Sequence, residues 1–88
     1  MQVVFLAKFS KDLDEIKSKK LKTAILEIIE NLEKTGELKE ITSLKKMKGH
    51  RTAYRIRLGD YRLGLYIESK KVILARFVHR KDIYRLFP

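Results

Sequence analysis

The nine residues Tyr54 to Arg62, YRIRLGDYR, constrain the fold more than any other stretch of this chain. Gly59-Asp60 lies between two runs of β-forming residues, and a two-residue loop led by Gly signals a tight hairpin. That turn pairs Leu58 with Tyr61, Arg57 with Arg62, Ile56 with Leu63 and Arg55 with Gly64. Side chains alternate between the two faces of a strand. Arg55, Arg57 and Arg62 therefore share one face, and Tyr54, Ile56, Leu58, Tyr61 and Leu63 share the other. Like charges directly opposite each other destabilise a sheet. A hairpin that sets Arg57 across from Arg62 is expected to meet a polyanion on that face.

The neighbouring segments supply a sheet and its cover. Strands are expected at about 52–58, 61–68 and 71–79, with Ser69-Lys70 at the second turn. Pairing Glu68 with Lys71 sets Gly64 against Ala75 and Arg62 against Phe77, and puts Arg76 on the apolar face. Gln2 to Leu6 reads as a buried strand. Ser10 is the expected N-cap of a first helix, with Asp12, Asp14 and Glu15 near its positive end. Leu21, Ala24, Ile25, Ile28, Ile29 and Leu32 form an apolar stripe at steps of three and four, the mark of a second helix with one buried face. Gly36 is its expected C-cap. Leu38, Ile41 and Leu44 are expected to tie the irregular segment 37–49 to the core. The segment from His79 to Pro88 reads as a strand end running into a short helix, where Arg80 and Tyr84 share one side and Ile83 and Phe87 another. The expected fold is α+β: an N-terminal strand, a helical hairpin on one face of a small, mainly antiparallel sheet, and a short C-terminal helix, in a single domain over residues 1–88.

Charge is segregated along the chain. Residues 1–44 hold 8 Lys/Arg and 8 Asp/Glu, whereas residues 45–88 hold 13 and 3, so the whole formal net charge of +10 lies in the half containing the hairpin. Such a surface draws in nucleic acid, an anionic membrane or an acidic protein. Without cysteine there is no disulfide, thiolate nucleophile or Cys-ligated zinc. Two histidines, His50 and His79, are too few for a usual structural zinc site. Asp60, Glu68 and Asp82 are isolated in the basic half, so no metal or other cofactor is expected. No apolar run approaches the roughly 18 residues of a membrane span, and the start lacks a secretory pattern. A cytoplasmic protein is expected.

Guanidinium groups converging on a sheet face suit phosphate, because the charge is permanent and the fork matches two oxygens at once. They can bind passively, or stabilise the charge that builds on a phosphate as a bond to it breaks. RNA carries its own nucleophile, the 2′-hydroxyl, so its cleavage needs no metal. His79 is the side chain near the basic cluster suited by type to proton transfer at neutral pH. Tyr84 could stack on a base or donate a proton. A lone strand-end histidine is more often a hydrogen-bonded surface residue, and a lone tyrosine more often a packing residue.

The two segments LKKMKGHRTAYRIRLGDYRLGLYIE and VHRKDIYRLFP resemble the RelE/ParE toxin superfamily, and the resemblance covers nearly the whole chain. It implies a small α/β sandwich with helices on one face of an antiparallel sheet. It also implies a toxin of a type II toxin–antitoxin pair. The RelE branch cuts mRNA in the ribosomal A site by attack of the 2′-oxygen on the adjacent phosphate, leaving a 2′,3′-cyclic phosphate without a metal. The implied partners are the ribosome with its mRNA, and an antitoxin that covers the toxin and contacts operator DNA. Arg55 and Arg57 match two basic positions on the first hairpin strand, where the best-studied member has lysines. Arg62 matches the arginine that contacts the reacting phosphate, Arg80 a basic residue ending the last strand, and Tyr84 the tyrosine that stacks on the mRNA base. The spacing from Arg80 to Tyr84 departs from that member.

Arginine does not readily exchange a proton near neutrality, so Arg55 and Arg57 are assigned to charge stabilisation and His79 to proton transfer. Lys45, Lys46, Lys48, Arg51, Phe77 and Lys81 form the expected RNA-binding surround. Two other readings share these residues: a ParE-like inhibitor of DNA gyrase, and a nucleic-acid or acidic-protein binding module without toxicity.

Overall fold

The computed structural model describes residues 1–37, 41 and 43–88. The Gly59-Asp60 turn closes as its sequence requires, with Gly59 at φ 59° in the first central position of the hairpin. It joins β3 (Ala53–Leu58) to β4 (Tyr61–Glu68) in the expected register, Arg57 opposite Arg62 and Arg55 opposite Gly64. β5 (Lys71–His79) continues the antiparallel meander. β1 (Gln2–Phe5) runs parallel to β5 along one edge, and a short β2 (Leu44–Lys46) pairs antiparallel with β3 along the other. The sheet order is β1-β5-β4-β3-β2. β2 lies in the segment 37–49 that sequence patterning reads as irregular; three residues carry no usable period.

Two helices cover one face. α1 (Ala7–Asp14) follows β1 directly, and α2 (Lys19–Lys34) buries Ile25, Ile29 and Leu32. With Phe9 and Ile16 they pack on Ile56, Leu63, Leu65, Val72, Leu74 and Phe77, which form the main core. Each such side chain stabilises the fold by roughly 1.5–3 kcal/mol on burial. Ile41 and Leu44 pack against this core, whereas Leu38 lies outside the described residues. The α1 boundary departs from expectation. Ser10 lies inside the helix, which starts after Leu6, because pairing of the first strand with β5 ends there and Phe9 must turn inward. Ser18 caps α2 instead, accepting the Leu21 amide at 3.2 Å. Gly36 is not the C-cap either: Thr35 ends α2, and the Met1 ammonium donates to the carbonyls of Leu32, Glu33 and Thr35.

A second departure reshapes the sheet. Between β4 and β5 the register shifts at Gly64/Leu65, so that Gly64 faces Arg76, Leu63 faces Phe77 and Arg62 faces Val78. Ala75 is the extra residue of this β-bulge. Uninterrupted pairing would bury Arg76 beside Leu63 and Leu65 and leave Phe77 among the arginines. The bulge exchanges the two. Phe77 enters the core at 2% exposure, and Arg76 reaches Asp12 on α1. There Nε and Nη2 of Arg76 donate to the two carboxylate oxygens at 2.8 and 3.1 Å, and the Phe77 amide donates to the same group at 2.9 Å. The hydrogen bonding that Arg76 donates to Asp12 raises its proton affinity above that of a free guanidinium; burial opposes this, and the charges of Asp12 and Glu15 add to it. A raised folded-state value means that this stabilisation is complete below the ordinary arginine pKa and is lost only above it. The arginine's own contribution is therefore constant around neutral pH.

Two expectations follow. Asp12→Ala leaves a half-buried guanidinium and an edge amide without an acceptor, and should cost about 2–4 kcal/mol in urea unfolding, more than a typical surface change. Ser69 and Lys70 occupy the β4–β5 turn at φ 48° and 62°. Replacing them with Asn-Gly, which suits two left-handed positions, should raise the unfolding free energy by about 1 kcal/mol.

Candidate active site

Opposite the helices, the sheet carries the basic row. Cross-strand partners share a face, so Lys45, Arg55, Gly64 and Arg76 lie in one line across β2 to β5, and Arg57 pairs with Arg62 in the next. Tyr54, Ile56, Leu58, Tyr61 and Leu63 all pack in the helix-covered core, which leaves Arg55, Arg57 and Arg62 on the open face. Among the described residues none of these three pairs with a carboxylate; the ion pairs are Arg76–Asp12, Arg80–Asp60 and Arg85–Asp82.

α3 (Ile83–Leu86) closes one side of this face. Ile83 and Phe87 are buried with Met47, Ala53 and Ala75 in a second, smaller core. Gly64 makes that docking possible. A Cβ at residue 64 would lie 2.6 Å from the Phe87 ring. Tyr84, on the same short helix, is 69% exposed. The Arg55 guanidinium carbon stands 5.6 Å from the centre of its ring, within cation–π range. Nη1 of Arg55 also approaches the Met47 sulfur at 3.9 Å. Arg55 and Tyr84 thus come together from segments about thirty residues apart.

Arg62 is folded back on the hairpin turn, where its Nη1 donates to the carbonyls of Gly59 at 2.9 Å and Tyr61 at 2.8 Å. Both acceptors are neutral, so a phosphate oxygen would make stronger, charge-assisted bonds to the same group. Arg57 is exposed and also borders a groove between α2 and the C-terminal end of β3. Arg80 sits at the turn: its amide donates to the Asp60 carbonyl at 2.7 Å, and its Nε is 4.0 Å from the exposed Asp60 carboxylate. A pair this exposed holds little energy.

Three placements differ from expectation or divide the expected set. Phe77 is in the main core, stacked on Tyr61 at 5.2 Å, and cannot contact RNA there. His79 pairs with Tyr61 and so faces the helix side, away from Arg62. Its ring meets Tyr61 edge-on at 5.7 Å, and its Nδ1 accepts the Lys81 amide at 3.1 Å. Both displacements follow from the bulge, which reverses the facing of every β5 residue after Ala75. Lys46 pairs with Tyr54 and so faces the helix side at the sheet edge, unlike Lys45. Lys48, Arg51 and Lys81 are exposed in the flanking loops.

Sequence reading did not find the Gly64–Phe87 seat or the Asp12–Arg76 pair. A glycine inside a strand pattern was the available signal for the first. Sixty-four residues separate the second pair, and nothing local announces it.

With this geometry in place, likeness to known proteins becomes informative. The model for the "ParE toxin of type II toxin-antitoxin system, parDE" matches residues 3–84. The protein belongs to this family of toxins. Toxin RelE3 of Methanocaldococcus jannaschii is 37% identical over 89 residues, all of both chains. A chain in the RelB-RelE antitoxin-toxin complex from Methanococcus jannaschii superposes with a TM-score of 0.82 at 35% identity, covering 97% of this chain and 99% of that one. A chain of the RelE-RelB complex from Pyrococcus horikoshii OT3, at 24% identity, shares the fold with a TM-score of 0.74 over 93% and 97% of the two chains. The toxin is thus a RelE/ParE superfamily member, with the α+β architecture expected of it.

Its glycine seat can be tested directly. Gly64→Ala should cost about 1–3 kcal/mol by overpacking against the Phe87 ring. In a Phe87→Ala background the same change should cost clearly less. A double-mutant cycle in urea reads the coupling.

Proposed function

We propose that this toxin is a ribosome-dependent mRNA endoribonuclease, a single domain over residues 1–88 acting in the cytoplasm. The observation that carries the reading is the uncovered cluster of Arg55, Arg57 and Arg62, free of carboxylate partners among the described residues, with Tyr84 seated against Arg55. The 2′-hydroxyl gives its proton to solvent as its oxygen attacks the neighbouring phosphorus, the bond to the 5′-oxygen breaks as that oxygen takes a proton from solvent, and a 2′,3′-cyclic phosphate remains. The chain's contribution is to carry negative charge on the non-bridging oxygens as it grows. Arg62 exchanges its turn carbonyls for the phosphate, Arg55 and Arg57 flank it, and Tyr84 receives a base on its exposed ring. Arg80, Lys45, Lys48, Arg51 and Lys81 hold flanking phosphates. No residue is assigned to a metal.

The related complexes contain a RelB antitoxin. A cognate antitoxin, acidic where it meets the basic half of this chain, is the proposed partner, and operator DNA is reached through that complex.

Arg62→Ala should lower mRNA cleavage on programmed ribosomes by about 10²–10³-fold, the scale of losing one preorganised donor. Its unfolding should stay cooperative, with a loss of no more than about 1–2 kcal/mol for the two turn hydrogen bonds. Wild-type cleavage by a folded Arg62→Ala protein refutes the proposal. The ParE family match favours one alternative, a gyrase inhibitor. Primer extension after induction separates them: breaks within translated codons support the ribonuclease, and DNA damage without such breaks supports gyrase.

A further inference from the structure

His79 is the residue whose chemistry and position disagree. By type it suits proton transfer, yet its partner Tyr61 puts it on the face opposite the arginines. What it does hold is the turn between β5 and α3. Nδ1 accepts the Lys81 amide at 3.1 Å, and the His79 carbonyl accepts the Asp82 amide at 2.8 Å. An acceptor side chain bonded to the amide two residues on is the arrangement of an Asx-turn, made here by an imidazole. The ring is held from behind: Phe77 is fixed in the core, Tyr61 stacks on Phe77, and His79 meets Tyr61 edge-on. In front, Asp82 leads into α3, accepting the amides of Arg85 and Leu86 at 3.1 and 3.0 Å. Tyr84 rides on that helix over Arg55.

We infer that His79 is a positioning residue: its Nδ1 locks the 79–82 turn, which sets α3 so that Tyr84 rests against Arg55. It therefore transfers no proton. This rests on the ribonuclease reading for its effect on rate, but its structural half stands independently. One helical turn held in the core at Ile83 and at the Phe87 that follows it can pivot about those two buried side chains. The turn supplies the missing constraint. A chain running from the core through three rings to a backbone amide is stiff where an exposed four-residue helix is not.

Asparagine separates the two roles. Its Oδ1 can accept the amide two residues on, as in an Asx-turn, but it cannot serve as an acid or base. Full-length wild type, His79→Asn and His79→Ala are compared by hydrogen exchange at the Lys81 amide and by single-turnover cleavage of mRNA on ribosomes. Lys81 protection should survive in His79→Asn and vanish in His79→Ala. His79→Asn should cleave within about twofold of wild type, and His79→Ala about fivefold slower, the effect of one lost hydrogen bond. The His79→Ala deficit should disappear in a Tyr84→Ala background, since it acts through that ring.

A His79→Asn enzyme slowed by about 10²–10⁴-fold, the scale of a lost acid or base, overturns the inference. So does a Lys81 amide that exchanges alike in all three proteins. Wild type that cuts no mRNA overturns only the ribonuclease reading, because the exchange pattern still decides what His79 holds.

Discussion

The bulge at Ala75 governs both faces of the sheet. Without it, one strand cannot satisfy two demands: Phe77 needs the helix-covered core, and Arg76 must stay out of it. An unpaired guanidinium among Leu63 and Leu65 would suffer a large desolvation cost. One extra residue moves Arg76 to Asp12, and the carboxylate then also satisfies the Phe77 amide at the edge that the first strand leaves uncovered. Edge N–H groups invite pairing with other chains. Here a helix side chain takes one of them. The bulge, the edge cap and the α1 docking are thus one construction.

The other consequence appears on the open face. Gly64 lies beside the bulge, and its missing side chain admits the Phe87 ring. That docking creates the second core and brings α3 over the sheet. The face is therefore half covered. Apolar groups occupy the side under α3, and guanidinium groups occupy the side towards the hairpin turn. Tyr84 stands at the boundary, its ring against one arginine and otherwise exposed. Repulsion among the arginines is modest because they face water, where two charges 4 Å apart interact by about 1 kcal/mol. It would grow as water leaves, unless a polyanion arrives to offset it. The same desolvation that penalises the empty cluster strengthens it around a phosphate.

Much of this was legible. The Arg57–Arg62 register follows from the Gly59-Asp60 loop alone, because turn length sets the pairing and the pleat sets the facing. The α2 stripe is local for the same reason: helical period reports a buried face wherever the partner lies. The β4–β5 register was legible only up to Leu65, since a bulge leaves no mark in residue alternation except a conflict. Arg76 on the apolar face was that conflict. Ser10 misled because a good capping residue does not start a helix when the preceding strand ends earlier.

Local patterning, then, determined the elements, the hairpin and the clustering of arginine on one side, all of which depend on residues within a few positions of one another. Tertiary structure alone decided that Phe77 and His79 leave the arginine face, that Asp12 receives Arg76, and that Tyr84 meets Arg55. Those outcomes turn on contacts between segments about 30 to 65 residues apart, where packing and desolvation, rather than backbone period, select the arrangement.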